Sequence, residues 1–369
     1  MDHMARALAL ARGALGSTSP NPAVGAVIVN DGLVVGEGYT QPPGGPHAEI
    51  VALREAGERA RGATVYVSLE PCCHHGRTPP CTAALIAAGV VEVRIATVDP
   101  NPRMSGKGAR ELEKAGIRVH LGECEEVARE INEAFFKYIT TGRPFLSLKY
   151  AMTLDGKIAS ARGHSRWVTG PEARQLVHEL RRQADAVLVG IGTVLADDPR
   201  LTVRLGGDRP AGRQPWRIVV DSRCRIPLAA RLLSDGGASR TIVATTRAAS
   251  PDSLAAVQAV GAEVWTLADV DGRVDLADLM ERLAARGIIN VLAESGGTLN
   301  GSLFQAGLVD KVYAFVAPKV VGGATAPTPV DGAGVDRMDQ AYPLSLAKVE
   351  RYGEDTLLVG YTRPAREVQ

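Results

Sequence analysis

Residues 46–54 read PHAEIVALR, and residues 70–81 read EPCCHHGRTPPC. The second stretch holds three cysteines and two histidines, residue types that bind transition metals. A catalytic zinc ion takes three protein ligands and keeps its fourth position for water. His47, Cys72 and Cys81 suit such a site, because two of them lie at predicted helix starts and the third follows a predicted strand.

Two further residues complete the interpretation of this site. Glu49 is not needed as a ligand, and its carboxylate can carry protons between water and a substrate nitrogen. Cys73 is expected to point away from the metal, because the adjacent Cys72 points toward it. The chain departs from the zinc-deaminase pattern His-x-Glu followed by Pro-Cys-x-x-Cys, since eight residues separate its two ligand cysteines. A structural zinc ion, or buried thiols without a metal, stay open as alternatives on these residues alone.

Composition and charge limit the classes of protein to consider. A length of 369 residues suggests two domains, at roughly 100–200 residues each. The chain has 42 basic and 41 acidic residues, so it lacks the basic excess typical of nucleic-acid binding, and we expect no nucleic-acid partner. No apolar run reaches the roughly 20 residues that span a bilayer, so we expect no membrane partner. Five cysteines, three of them clustered, do not resemble a disulfide framework and favour a cytoplasmic protein.

Strand and helix patterns alternate along the chain, which predicts an α/β fold in both halves. The N-terminal residues predict an amphipathic helix capped by Asp2, and residues 123–138 predict one continuous amphipathic helix. The segment ITTGRP (139–144) then breaks the pattern with glycine and proline. We therefore expect domains at residues 1–144 and 145–369.

Four segments of the first half carry a family resemblance: TSPNPAVGAVIV (18–29), HAEIVAL (47–53), EPCCHHGRTPPC (70–81) and VDPNP (98–102). They resemble the deaminase half of the bacterial RibD family, which joins a pyrimidine deaminase to a 5-amino-6-(5-phosphoribosylamino)uracil reductase. The resemblance implies a cytidine-deaminase-like α/β/α domain with one zinc ion per chain on His47, Cys72 and Cys81, and with Glu49 as the catalytic proton carrier. It also implies substrate contacts from Asn21, His74, Arg77, Asp99 and Asn101.

Two segments of the second half are candidate cofactor-binding elements. ESGGTLNGSLF (294–304) follows a predicted strand and opens a helix, so its backbone amides could hold a phosphate, although such loops are often only tight turns. DSRCRIP (221–227) also follows a predicted strand. Ser222 and Arg223 suit the 2′-phosphate of NADP, whereas Asp221 would suit the ribose hydroxyls of NAD, so both cofactors stay open on these residues.

Longer strings are similar to the RibD reductase: LKYAMTLDGKIA (148–159), SRWVTGPEAR (165–174), LVGIGTVLADDPRLTVR (188–204) and ESGGTLNGSLF. The similarity implies a dihydrofolate-reductase-like α/β domain that uses NADPH. The implied cofactor contacts are Ala151, Trp167, Thr193, Asp197, Ser222, Gly296, Gly297, Thr298, Leu299, Asn300, Gly301 and Ser302. The implied substrate contacts are Lys149, Ser165, Thr169, Arg181, Leu201, Arg204 and Glu294.

The resemblance also implies the chemistry. Hydrolytic deamination of 2,5-diamino-6-ribosylamino-4(3H)-pyrimidinone 5′-phosphate is followed by NADPH-dependent reduction of the ribosyl side chain, at C1′ of its ring-opened form. The expected partners are therefore small pyrimidine ribose phosphates. We also expect a homo-oligomer.

Overall fold

A five-stranded sheet lies in the first part of the chain and a nine-stranded sheet in the second. The computed structural model describes residues 2–74, 79–102, 104–205, 210 and 212–362. The chain divides into two units, residues 1–143 (unit 1) and the residues from 144 onward (unit 2). Each unit has its own sheet and its own buried core.

The sheet of unit 1 has the strand order β2-β1-β3-β4-β5. β1 runs antiparallel to both β2 and β3, whereas β3, β4 and β5 are parallel to one another. Its strands are β1 (Gly25–Asn30), β2 (Leu33–Tyr39), β3 (Thr64–Val67), β4 (Glu92–Ile95) and β5 (Arg118–Leu121). Its helices are α1 (His3–Ala14), α2 (Ala48–Ala56), α3 (Cys81–Ala88), α4 (Lys107–Lys114), α5 (Glu125–Ile131) and α6 (Glu133–Thr141).

Helices cover both faces of this sheet, as expected for an α/β/α domain. Apolar residues of α1 and α5 pack with Val27 and Val29 of β1 on one face. On the other face α2 lies so close to β2 that a Cβ atom added at Gly36 or Gly38 would clash with the α2 backbone. The predicted Asp2 cap is present, because its carboxylate accepts the backbone N–H of Ala5 at 3.0 Å.

The single helix predicted for residues 123–138 is wrong, because α5 ends at Ile131 and α6 begins at Glu133. Asn132 lies between them with its side chain buried. Its amide accepts the backbone N–H of Ala23 at 2.8 Å and donates to the carbonyl of Ala23 at 2.9 Å. Asn132 interrupts the helix, and these two hydrogen bonds hold it against the loop before β1.

Unit 2 has the strand order β10-β9-β8-β7-β13-β6-β14-β16-β15, plus a separate hairpin of β11 and β12. Its strands are β6 (Phe145–Thr153), β7 (Ala186–Gly190), β8 (Trp216–Val220), β9 (Thr241–Thr245), β10 (Glu263–Thr266), β11 (Asp269–Val270), β12 (Arg273–Val274), β13 (Asn290–Ala293), β14 (Lys311–Ala317), β15 (Ser345–Tyr352) and β16 (Asp355–Tyr361). Its helices are α7 (Pro171–Gln183), α8 (Ile191–Asp197), α9 (Arg231–Ser234), α10 (Pro251–Ala259), α11 (Leu276–Ala285) and α12 (Gly297–Gln305).

The strands of this larger sheet are parallel from β10 to β14, and β16 and β15 run antiparallel to their neighbours. Apolar residues of α11 and α12 pack on one face of the sheet, while α7, α9 and α10 pack on the other. Because the strands from β10 to β14 are parallel, their carboxyl ends lie at one edge of the sheet, where α/β proteins bind their ligands.

Among the residues that the structure describes, no helix is both long enough and apolar enough to cross a membrane.

The contact between β2 and α2 makes a stability prediction. Gly38→Ala should destabilise unit 1 by roughly 1–3 kcal/mol, because the new methyl group would clash with the carbonyl oxygen of Ala48. Gly13→Ala is the matched control, since nothing lies within 4 Å of a Cβ atom at this helical position. Urea unfolding should show a lower midpoint for the first variant and an equal or higher midpoint for the second. A midpoint for Gly38→Ala equal to that of the wild type would contradict the close packing of α2 on β2.

Candidate active sites

Three of the predicted ligands converge in unit 1. His47 caps α2, Cys81 opens α3, and Cys72 follows β3. The ligand atoms of the three residues lie within 4.8 Å of one another. Nδ1 of His47 is 3.5 Å from Sγ of Cys72 and 3.3 Å from Sγ of Cys81. Tetrahedral zinc, with bonds of about 2.0 Å to nitrogen and 2.3 Å to sulfur, sets such atoms roughly 3.5 Å apart, so the donor set fits zinc.

Hydrogen bonding within this cluster favours a thiolate. The hydrogen bond from Cys81 lowers the pKa of Cys72 to about 4, against the opposing effect of burial, and His47 also contributes. The backbone N–H of Cys81 donates to the same sulfur at 3.4 Å. The same shared hydrogen bond, together with burial, raises the pKa of Cys81. Metal binding requires deprotonated thiols, so the lowered pKa of Cys72 favours binding of a divalent cation.

Glu49 lies in the first turn of α2, beside the cluster, and is 4% exposed. Burial, followed by the negative charge of Cys72, raises the pKa of its carboxyl to about 7. A carboxyl group with this pKa can both accept and donate a proton near neutrality, which is the property of a general acid–base catalyst.

Four further residues of the sequence-based interpretation are not part of the ligand cluster: Cys73, His74, Asp99 and Asn101. Cys73 is outside the cluster, and its Sγ is 3.9 Å from Sδ of Met104. Nδ1 of His74 is 2.9 Å from the same Met104 sulfur. Asp99 is buried, and desolvation raises its pKa to about 6. Its carboxylate accepts the backbone N–H of Asn101 at 2.8 Å.

The last two substrate contacts predicted for unit 1 are Asn21 and Arg77. Asn21 lies in the loop between α1 and β1, and its backbone N–H donates to Thr18. Arg77 lies outside the described residues.

In unit 2, a cavity of about 1450 Å³ lies at the carboxyl ends of the parallel strands. Most of the predicted cofactor and substrate contacts line it. These are Lys149, Ala151, Ser165, Trp167, Thr169, Arg181, Thr193, Asp197, Leu201, Arg204, Ser222, Glu294, Gly296, Gly297, Thr298, Leu299 and Ser302.

A buried group of charges forms one wall of this cavity. The guanidinium of Arg181 donates to both carboxylate oxygens of Glu294, at 2.5 and 2.9 Å, and Nζ of Lys149 lies 3.9 Å from the same carboxylate. Burial opposes ionisation of Glu294, but Arg181 and Lys149 together lower its pKa below the usual value. Burial also lowers the pKa of Lys149. Two cations and one anion leave this wall positive, which suits a phosphorylated substrate.

A second wall is formed by Trp167 and residues of α8. The indole of Trp167 is 63% exposed, and the guanidinium of Arg174 lies 4.5 Å from its ring centroid. The hydroxyl of Ser165 donates to Asp197 at 3.0 Å. The backbone N–H of Gly296 donates to the hydroxyl of Thr193 at 3.2 Å. An exposed aromatic face beside hydrogen-bonding groups can stack a flat ring such as nicotinamide.

The glycine segment of α12 differs from the sequence expectation in two residues. Asn300 and Gly301 do not line the cavity. Asn300 is fully buried, and its amide donates to the carbonyl oxygens of Ser295 and Pro329 at 3.2 and 2.7 Å. A Cβ atom at Gly301 would clash with the backbone of Asp331. Asn300 therefore holds a neighbouring loop against α12, and Gly301 allows its close approach. The other five residues of 296–302 line the cavity.

Whether the end of β8 suits NADP or NAD depends on where the carboxylate of Asp221 points. This residue is fully buried and does not line the cavity, whereas Ser222 and Arg223 do. One oxygen of Asp221 accepts the backbone N–H of Ile226 at 2.8 Å. Its carboxylate is thus directed into its own loop and is not available to bind ribose hydroxyls in the cavity.

Two cavity-associated residues were missed by the sequence reasoning. His178 lines the cavity, and burial together with Arg181 and Arg204 lowers its pKa to about 4. Nζ of Lys319 donates to the carbonyl oxygens of Trp167 and Val168, at 2.9 and 2.8 Å. His178 lies on α7, and no local signal in the sequence indicates which face of this helix meets the cavity.

Two family profiles match the chain. One, described as RibD C-terminal domain, matches residues 144–358. The other, described as the zinc-binding region of cytidine and deoxycytidylate deaminases, matches residues 1–97. The predicted fold is confirmed: the N-terminal part is deaminase-like, and the C-terminal part is the RibD reductase domain with its dihydrofolate-reductase-like fold.

Whole-length relatives agree with the profiles. The riboflavin biosynthesis protein RibD of Actinobacillus pleuropneumoniae is 45% identical over 361 residues, which cover 97% of this chain and 94% of the relative. The structure of Acinetobacter baumannii RibD superposes with a TM-score of 0.84 at 39% identity, and 97% of each chain is covered. A Thermotoga maritima structure described as a diaminohydroxyphosphoribosylaminopyrimidine deaminase and 5-amino-6-(5-phosphoribosylamino)uracil reductase gives 0.84 at 37% identity, again over 97% of each chain. The resemblance drawn from the motifs is confirmed.

The geometry of the thiols makes a prediction about metal content. Cys72→Ser should lower bound zinc well below one ion per chain, because it removes a donor of the cluster. Cys73→Ser should retain one zinc ion, because this sulfur lies outside the cluster. Metal analysis by mass spectrometry of the purified variants measures both. Loss of zinc from the Cys73 variant would mean that the wrong thiol has been assigned.

Proposed function

The chain belongs to the RibD family, and we propose that its two units catalyse that family's two successive reactions of riboflavin biosynthesis. Unit 1 deaminates 2,5-diamino-6-ribosylamino-4(3H)-pyrimidinone 5′-phosphate. Unit 2 reduces the ribosyl side chain of the product to give 5-amino-6-ribitylamino-uracil 5′-phosphate. The observation that carries the proposal is a His–Cys–Cys cluster beside a buried carboxyl group whose pKa is near neutrality.

In the deamination, His47, Cys72 and Cys81 hold zinc and Glu49 moves the protons. Zinc at such a site lowers the pKa of water and so supplies a nucleophile near neutral pH. The water oxygen adds to the ring carbon that bears the 2-amino group, and Glu49 takes a proton from the water. Glu49 passes this proton to the amino nitrogen, the carbon–nitrogen bond breaks, and ammonia leaves. Asn21, His74, Arg77, Asp99 and Asn101 bind the substrate in this scheme.

In the reduction, the cationic wall of the unit 2 cavity binds the substrate. NADPH supplies the hydride that C1′ of the ring-opened imine accepts. Arg204 and Arg181 orient the ribose phosphate, and Glu294 keeps Arg181 in position through two hydrogen bonds. Lys149 faces the same carboxylate across 3.9 Å. Ser165, Thr169 and Leu201 complete the substrate contacts.

NADPH, rather than NADH, is the proposed cofactor of unit 2. Ser222 and Arg223 line the cavity, while the carboxylate of Asp221 is engaged with the backbone of Ile226. A ribose 2′-phosphate at the end of β8 would therefore meet the hydroxyl of Ser222 and the cation of Arg223, and not the carboxylate of Asp221. Trp167 would contact the nicotinamide ring. The other residues that would hold the cofactor line the same cavity: Ala151, Thr193, Asp197, Gly296, Gly297, Thr298, Leu299 and Ser302.

We further propose that the protein acts in the cytoplasm. The five cysteines lie within the described residues as free thiols, a state that a reducing compartment maintains.

The protein is also proposed to form a homodimer through β15, the outermost strand of the nine-stranded sheet. Within the described part of the chain, no strand pairs with the outer edge of β15, and Leu346 and Val349 are 61% and 63% exposed. Long exposed edges with apolar side chains are sites of strand pairing between molecules.

The sequence of β15 is complementary to itself about Val349. In an antiparallel pair with a two-fold axis at Val349, each Lys348 lies opposite Glu350 of the second copy. The two Val349 side chains then lie side by side on the other face. This arrangement satisfies charge and hydrogen bonding with a single surface patch, as a two-fold interface requires.

The direct test of function is incubation of the purified protein with the diaminopyrimidinone phosphate. Ammonia should appear without any nicotinamide cofactor, and NADPH should then be oxidised faster than NADH. Absence of ammonia release from zinc-loaded protein would contradict the deaminase half of the proposal. Equal rates with NADPH and NADH would contradict the cofactor assignment alone.

Substitutions in the two sites should separate the two activities. Glu49→Gln should retain zinc but lower ammonia release by about 10²–10⁴-fold, because an amide cannot carry the proton. This variant should still oxidise NADPH normally when the already deaminated pyrimidine is supplied. Glu294→Gln is the reciprocal variant, and it should release ammonia normally but reduce poorly, because Arg181 and Lys149 lose their counter-charge. A folded variant that lacks both activities would mean that the sites are not independent.

The charge pattern of β15 gives a test of the dimer. Lys348→Glu should weaken the dimer, because it sets two acidic side chains opposite each other at each end of the pair. The double variant Lys348→Glu with Glu350→Lys should restore the wild-type dimer, since it exchanges the charges. Sedimentation velocity measures all three proteins, with Val260→Arg as an exposed control away from this strand. A monomeric wild-type protein at micromolar concentration would refute the interface.

A further inference from the structure

Glu70 is a buried acidic residue in the loop after β3, two residues before Cys72, and neither reaction proposed above uses it. It is 4% exposed. One carboxylate oxygen accepts the backbone N–H groups of Asp99 and Gly106, at 3.2 and 2.9 Å. The other accepts the backbone N–H of Ala109 at 3.1 Å. One side chain thus satisfies three backbone donors, two from the segment between β4 and α4 and one from the first turn of α4.

This segment carries two of the proposed substrate contacts, Asp99 and Asn101. Their relative position is fixed within the segment, because the carboxylate of Asp99 accepts the backbone N–H of Asn101. The carbonyl oxygen of Asn101 accepts the backbone N–H groups of Met104 and Ser105, at 2.8 and 3.0 Å. The segment is therefore bonded internally as a turn, and Glu70 attaches this turn to the loop after β3.

A second observation shows that this attachment is close. A Cβ atom added at Gly108 would clash with the carbonyl oxygen of Pro71, so the first turn of α4 lies directly against the residues that lead to Cys72. The backbone N–H of Glu70 donates to the carbonyl oxygen of Thr97 at 3.0 Å. The residues that lead to Cys72 and the segment that carries Asp99 and Asn101 are thus joined through both the backbone and the side chain of Glu70.

We propose that Glu70 is a positioning residue of the deaminase, which holds Asp99 and Asn101 at a fixed distance from the Cys72 ligand. Glu70 acts through the backbone and touches neither substrate nor metal. A carboxylate suits this role because its two oxygens accept all three N–H groups, whereas an amide offers one oxygen and turns an NH₂ group toward a donor. The inference rests on the deaminase function proposed above.

The test compares Glu70→Gln with Glu113→Gln, which removes the same charge from an exposed position of α4. In the full-length, zinc-loaded protein, Glu70→Gln should raise the KM of deamination about tenfold or more, with a smaller change in kcat. It should retain one zinc ion per chain and normal NADPH oxidation. Glu113→Gln should match the wild type in every measurement.

A merely structural role would give a different result. If Glu70→Gln lowered kcat and zinc content in proportion and left KM unchanged, the variant would only contain less folded protein, and the positioning role would be refuted. Gly108→Ala provides a second route to the same effect, because it pushes α4 away from Pro71 without altering any charge. It should also raise KM at constant zinc content, and an unchanged KM would count against the proposal.

Hydrogen exchange of the wild-type protein tests the inference without any variant. The amides of Asp99, Gly106 and Ala109 should exchange slowly, because a buried carboxylate accepts them. Exchange as fast as that of exposed loop amides would overturn the proposal even if Glu70→Gln failed to fold. Absence of deamination by the wild-type protein would refute the proposed function instead, and the exchange result would still stand on its own.

Discussion

The sites of both units depend on the hydrogen bonding of parallel strands. Neighbouring parallel strands end at the same edge of a sheet, so the residues that follow them are brought together whatever their separation in sequence. In unit 1, Cys72 follows β3 and Asp99 follows β4, which pair in parallel. In unit 2, Glu294 follows β13 and Ser222 follows β8, within the same run of parallel strands.

Charge compensation decides what each site can bind. In unit 1, one imidazole and two sulfurs lie within 4.8 Å of one another, and hydrogen bonding lowers the pKa of Cys72. In unit 2, Glu294 balances only part of the charge of Arg181 and Lys149. A thiolate and imidazole set attracts a metal, while a wall with surplus positive charge attracts a phosphate. The same chain therefore supports a hydrolytic site and a reductive site with a net charge of only +1.

Residues that touch no ligand in either scheme fix the positions of those that do. Asn132 holds the loop before β1 through Ala23, and Lys319 holds the backbone of Trp167. Gly38 permits the close approach of α2, which carries Glu49. These contacts are made mainly to backbone atoms, so they constrain loop position while leaving the side chains of the sites available to a ligand.

The sequence by itself determined the alternation of helices and strands, the three candidate metal ligands, the carboxylate beside them and the family resemblance. These features depend on residue type and on spacing along the chain, which are local properties. Only the tertiary structure decided that Asn132 interrupts a helix, that Asn300 and Gly301 face a packed loop, and that Asp221 turns away from the cavity. The direction of a side chain depends on backbone groups that are distant in sequence, such as Ala23 for Asn132 and Pro329 for Asn300. No local pattern contains that information.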